Sequence, residues 1–129
     1  MFVIYTLGGA FGYWISYLAG IPYTIGASAA VCSLIGSLLY FGKSRGGMYG
    51  NAVYRDIGLW IISIFVFGLI FPDINNWGHG GGILGGILLG FILGYNEKRA
   101  EGVIHNVLAL SCAIATITAI GWALFGARI

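Results

Sequence analysis

The sequence predicts an all-α fold, a polytopic membrane helical bundle of about five transmembrane helices, and three observations carry that prediction. Of 129 residues, 59% are hydrophobic and 8% are charged, whereas a soluble domain carries about a quarter charged residues. The charges cluster, leaving five apolar runs free of Asp, Glu, Lys and Arg at 2–19, 25–41, 57–71, 79–95 and 103–126. Most of the 23 glycines lie inside those runs, where membrane helices use Gly at close contacts.

The runs follow in order. Met1 leads straight into 2–19, with no basic segment and no clear cleavage site ahead of it, so it is read as a span and not as a signal peptide. It carries small residues at Gly8, Gly9 and Gly12. The run 25–41 has a small face through Gly26, Ala29, Ala30, Ser33, Gly36 and Ser37. The run 57–71 is the shortest, near the lower limit of about 17–25 residues for a spanning helix once its flanks are borrowed. The run 79–95 has the clearest internal pattern: Gly78, Gly82, Gly86, Gly90 and Gly94 recur every four residues, with Gly81 and Gly85 beside them. On a helix that is one glycine stripe, and small-xxx-small faces let helix backbones approach closely in lipid. The second and fourth runs are therefore the expected tight pair, with Gly26, Gly82, Gly86 and Gly90 as packing glycines. The fifth run, 103–126, closes the chain.

The connections set an orientation. Lys43, Arg45 and Arg55 fall in 42–56, and Lys98 and Arg99 in 96–102, while 20–24 and 72–78 hold no Lys or Arg. The positive-inside rule places the two basic connections in the cytoplasm, and with them the N-terminus. Arg128 is the one exception. The stretch 42–56, with Gly46-Gly47 and Gly50, reads as a flexible connection whose charges are solvated or touch lipid headgroups. No linker or composition shift divides the chain, so residues 1–129 are read as a single membrane domain.

Composition also excludes. A net charge of +2 and the lack of a basic run with interleaved aromatics argue against a nucleic-acid partner. Cys32 and Cys112 lie inside runs, with no CxxC and no His pair at ligand spacing, so neither a metal nor a cofactor is expected. The expected surroundings are the lipid bilayer, and the oligomeric state is left open.

The chemistry sits at two run starts. Ser28 lies about one turn into the second run and His79 opens the fourth. With both runs entering from the same side, the two residues fall at similar depth, and close packing of the small faces brings them within hydrogen-bond reach. An imidazole inside a membrane protein is a functional hypothesis by default. A serine beside a histidine is the nucleophile-and-base arrangement of acyl transfer. Backbone N–H groups at the helix start, those of Ser28 and Ala29, are placed to donate to an oxyanion. No carboxylate is placed to orient the imidazole; Asn75 or Asn76 either assists it or caps the helix. His105 begins the fifth run from the opposite side and reads as an interfacial histidine, and Ser16, Ser33, Ser37, Ser63 and Ser111 are expected to bond back to their own helices.

These residues resemble the rhomboid intramembrane serine proteases. That family has G-x-S-G at the outer end of its fourth core helix, and here Gly26-Ala27-Ser28-Ala29 stands in that place. Its histidine lies in a pattern like N-x-x-H-x-x-G-x-x-x-G, matched here by Asn76, His79, Gly82 and Gly86. The separation of 51 residues between Ser28 and His79 is also similar. By resemblance the first four runs correspond to the third to sixth core helices, and the fifth to an additional C-terminal helix. The chain departs from the pattern at three points. Ala29 follows the serine where the family has glycine, and Cys32 stands where an aromatic often packs on the histidine. The first two core helices, with the His and Asn that assist the oxyanion, have no counterpart, which implies an N-terminally incomplete or degenerate member. The resemblance implies hydrolysis of peptide bonds in transmembrane segments of other proteins, with Ser28 as nucleophile and His79 as base and then acid. The alternative is a catalytically inactive rhomboid-like protein that binds transmembrane helices. An unrelated transporter-like component would show a pore-lining polar stripe, and none is visible.

Overall fold

The computed structural model describes residues 1–23, 26–94 and 102–126. Within them the chain forms five α-helices and no strand: α1 (Phe2–Leu18), α2 (Ser28–Arg45), α3 (Gly47–Ile70), α4 (Asn76–Leu93) and α5 (Val103–Phe125). Each apolar run is the body of one helix. Of the five, α3 and α5 are by themselves long and apolar enough to cross a membrane.

The centre is a three-helix cluster. α2 against α4 is the most extensive pairing, α1 against α4 the next, and α1 also lies against α2. Most of what is buried there is small, with Val3, Ile4, Phe41 and Ile83 the larger exceptions: Gly8, Gly9, Gly12 and Ser16 on α1, Ala29, Cys32, Ser33, Gly36 and Ser37 on α2, and Gly78, Gly81, Gly82, Gly85, Gly86 and Gly90 on α4. A β-carbon at Gly12 would stand 2.7 Å from the Gly78 carbonyl oxygen. One at Gly82 would overlap the Ala29 carbonyl, and one at Gly86 the Ser33 carbonyl. The helices touch backbone to backbone, which only glycine permits. The large apolar side chains point outward instead, among them Leu84, Leu88, Phe91 and Ile92 of α4. Such an exterior has no place in water on this scale, and it is the arrangement expected where lipid is the solvent.

Ser33 adds a polar tie: its hydroxyl lies 2.7 Å from the Ile4 carbonyl oxygen on α1 and 2.7 Å from that of Ala30 on its own helix. Ser37, Ser63 and Ser111 bond back to Leu34, Leu59 and Val107. The Ser16 hydroxyl donates forward, out of its helix, to the Ile21 carbonyl.

The largest departure from the sequence reading is at 42–56. The stretch is not a flexible connection: α2 runs on to Arg45, and α3, expected to be the shortest helix, is the longest at 24 residues. The break falls at Gly46, with φ 64° and ψ −165°, and Gly47, with φ 69°. Two of the three basic residues belong to a helix end, and Arg55 lies within α3. Lys43 and Arg45 lie in the last turn of α2, where cations complement the helix dipole. They also stack on aromatic faces, Lys43 over Tyr54 at 5.3 Å and Arg45 over Tyr49 at 4.5 Å, each contributing about 0.5–1 kcal/mol at exposed sites. A β-carbon at Gly42 would lie 2.7 Å from the Tyr54 backbone nitrogen, so the two helices cross closely just above the elbow. The charges that interrupted the apolar run marked the end of the apolar segment, and the helix continued past it.

The Gly46 torsions fall in a region essentially confined to glycine. Gly46→Ala is expected to destabilise the fold by about 1–3 kcal/mol, read as a lowered unfolding midpoint in detergent. Gly20, with φ 85°, makes a similar turn at the end of α1.

Candidate active site

Two helix starts meet at one end of the central cluster. Gly26, with φ 128° and nothing within 4 Å of its β-carbon position, turns the chain into α2. It is therefore not a packing glycine, as its place in the small face suggested; it is needed for the turn. Gly82, Gly86 and Gly90 do lie against α2. Ala27 occupies the N-cap without a side-chain cap bond, and Ser28 is the first residue of α2, one turn nearer the end than the apolar run implied. Ser28 is exposed and Ala29, directly below it, is buried. The N–H groups of a helix's first turn have no partner inside the helix, so those of Ser28 and Ala29 lie beside the hydroxyl.

On α4 the first turn is fixed by Asn75. Its Oδ1 accepts from the Gly78 N–H at 3.1 Å, and its carbonyl accepts from the His79 N–H at 3.2 Å. This is an N-cap, the second of the two roles the sequence allowed. Held there, the His79 imidazole reaches across to α2, and its Nε2 lies 2.9 Å from Ser28 Oγ. With the ring proton on Nδ1, the serine hydroxyl donates to Nε2, the geometry a general base requires. His79 is half-buried.

The other nitrogen, His79 Nδ1, is buried without a hydrogen-bond partner among the described residues. Asn76 does not orient it: its amide donates to the Phe65 carbonyl on α3 at 3.4 Å. Asp73 is exposed, and Asp56 pairs with Arg55 at 3.4 Å. Among the described residues the arrangement is a pair of side chains without a third member. Cys32 is buried one turn below Ser28, with its β-carbon 3.2 Å from where a Gly82 side chain would begin. His105 lies elsewhere, its Nε2 3.2 Å from the Leu93 carbonyl oxygen, tying the start of α5 to the end of α4. Among the described residues no three His, Cys, Asp or Glu side chains converge as a metal site would need.

One contributor escaped the sequence reading. The Asn75 amide also donates to Ser16 Oγ on α1. A serine within an apolar run carries no mark of a partner 59 residues away, so nothing local pointed to it.

An all-helical, glycine-centred bundle with an apolar exterior and a Ser/His pair on two helix starts defines a class, the helical membrane proteins with a hydrogen-bonded serine and histidine at one end. A family model described as the Rhomboid domain matches residues 1–96, and the chain belongs to the rhomboid family. It is 30% identical over 115 residues to Rhomboid protease GluP of Bacillus subtilis (strain 168). That similarity takes in 87% of this chain and 22% of the relative, so the chain spans about a fifth of the relative's length. No solved structure matches the chain.

Proposed function

We propose that the chain carries the serine and histidine of an intramembrane serine endopeptidase that hydrolyses peptide bonds in transmembrane segments of other membrane proteins. The observation that carries this reading is the 2.9 Å approach of His79 Nε2 to Ser28 Oγ. In this reading all five helices span the bilayer, the elbow with Lys43, Arg45 and Arg55 faces the cytoplasm, and the N-terminus lies on that side. The dyad then sits near the outer face, where water enters.

The chemistry follows from the geometry. Ser28 Oγ attacks the scissile carbonyl carbon as its proton passes to His79 Nε2. The carbonyl oxygen becomes an oxyanion, facing the N–H groups of Ser28 and Ala29 at the positive end of α2. Collapse breaks the C–N bond, and the imidazolium gives its proton to the departing nitrogen. Water, deprotonated by His79, then releases the acyl group and restores the hydroxyl. Ser28 being exposed suits a substrate that is itself a polypeptide.

The test is covalent labelling of the purified chain with a fluorophosphonate probe in bicelles. Labelling of the parent chain and none of Ser28→Ala supports a reactive serine at this position. A folded parent that stays unlabelled would reject hydrolysis and favour a rhomboid-like protein that only binds transmembrane helices.

A further inference from the structure

The two arms of the site are joined through one hydroxyl, and we propose that Ser16 is a positioning residue that sets Ser28 against His79. This inference rests on reading those two as the reacting pair. Ser16 is fully buried, at 0% exposure, in the last turn of α1. A serine hydroxyl has one proton and two lone pairs. The proton goes to the Ile21 carbonyl at 3.1 Å, and a lone pair accepts the Asn75 amide. The Ser16 carbonyl in turn accepts the Ile21 N–H at 3.0 Å. Ile21 is thus gripped at both its backbone groups, at the beginning of the connection that delivers Gly26, Ala27 and Ser28. The Tyr13 hydroxyl holds the far end of that connection, reaching the Gly26 carbonyl at 3.4 Å.

On the other arm, the Asn75 amide donates to Ser16 and its side-chain oxygen accepts the Gly78 N–H. Its backbone carbonyl fixes the His79 N–H. Moving Ser16 therefore moves the start of α4 through Asn75 and releases Ile21, which lies seven residues ahead of Ser28 in the chain. A helical serine ordinarily returns its proton to its own helix. Here the hydroxyl is turned out of α1 to Ile21 and Asn75, each on a segment that leads to a reacting side chain.

The test reads the contact directly. The full chain, labelled with ¹⁵N-histidine in bicelles, gives a His79 Nε2 resonance, and its displacement in Ser28→Ala defines the signature of the Ser28–His79 hydrogen bond. Ser16→Ala and Asn75→Ser are then compared. The second keeps an N-capping oxygen for α4 but is too short to reach Ser16, so it decides alone where Ser16→Ala fails to fold. Ser33→Ala is the control: Ser33 is equally buried and likewise makes a tertiary tie, from α2 to Ile4 of α1, but away from the site. The expected result is that the resonance in Ser16→Ala and Asn75→Ser moves to its Ser28→Ala position, while Ser33→Ala leaves it unchanged. Probe labelling in the first two should slow by about ten- to a hundredfold, as misplacement of reacting groups by about 1 Å does. Retention of the parent resonance in both would overturn the proposal, as would an equal displacement in Ser33→Ala. A parent that shows the resonance pattern but resists the probe would remove the hydrolase reading and leave the positioning role standing.

Discussion

His79→Ala is expected to keep all five helices and to lose reaction of Ser28 with a fluorophosphonate by a factor of about 10⁴ or more. The serine hydroxyl is a weak nucleophile at its ordinary pKa, and His79 Nε2 at 2.9 Å is the acceptor the structure offers its proton. Asn75 and Asn76 lie nearby, but a side-chain amide has no useful basicity, so neither stands ready as a substitute base. The fold should survive because the imidazole is half-buried at the end of the cluster, above the glycine contacts. Circular dichroism together with labelling checks both halves of the expectation. Labelling that persists at the parent rate would mean that His79 is not the base, whatever its distance from Ser28. A variant lacking both Ser28 and His79 side chains should be no slower than either alone, since the two act as a unit.

The second large effect lies in the middle of the bundle. Gly86→Leu should push α2 off α4, because the first carbon of any side chain at 86 overlaps the Ser33 carbonyl. That obstacle is backbone, and no change of rotamer removes it. Overpacking typically costs about 1–3 kcal/mol and occasionally more; a clash with the facing helix's main chain belongs at the upper end. The readout is the midpoint of unfolding on titration with denaturing detergent. The matched control is Gly121→Leu on α5, where nothing lies within 4 Å of the added carbon, with an expected change within about 0.5 kcal/mol. Equal losses at the two positions would contradict the packing described. Because Ala29 and Ser33 both lie on α2's contact with α4, Gly86→Leu should also abolish labelling, although it lies two turns from His79.

The parts of this molecule that showed in its sequence are those written in repeated or one-sided patterns. Five runs without acidic or basic side chains gave five helices, and glycine at every fourth position from Gly78 pointed to the α2–α4 pair. His79 stood out because lipid does not tolerate an imidazole idly, and Ser28 because it lies near the start of a run at matching depth. The elbow was hidden for the opposite reason. Lys43, Arg45 and Arg55 ended the hydrophobic signal, but a helix can run on beyond hydrocarbon, and these side chains have high helix propensity. Gly26 was read as a contact residue because it falls on the small face, whereas its φ of 128° makes it a turn. Ser16 was invisible because a tertiary hydrogen bond between lone polar residues far apart in sequence leaves no periodic trace.

The burial pattern carries a consequence for how this chain tolerates change. In a soluble domain the damaging core substitutions are mostly deletions, which leave cavities. Here the interior is already reduced to hydrogen atoms at Gly12, Gly82 and Gly86, so little remains to delete and every addition is an intrusion. Outside, at positions such as Leu88 and Ile92, size is nearly free and polarity is what is refused. The constraint is thus divided by kind, on volume within and on chemistry without. Two substitutions of the same residue type, one on each side of a single helix, should rank in opposite orders of severity.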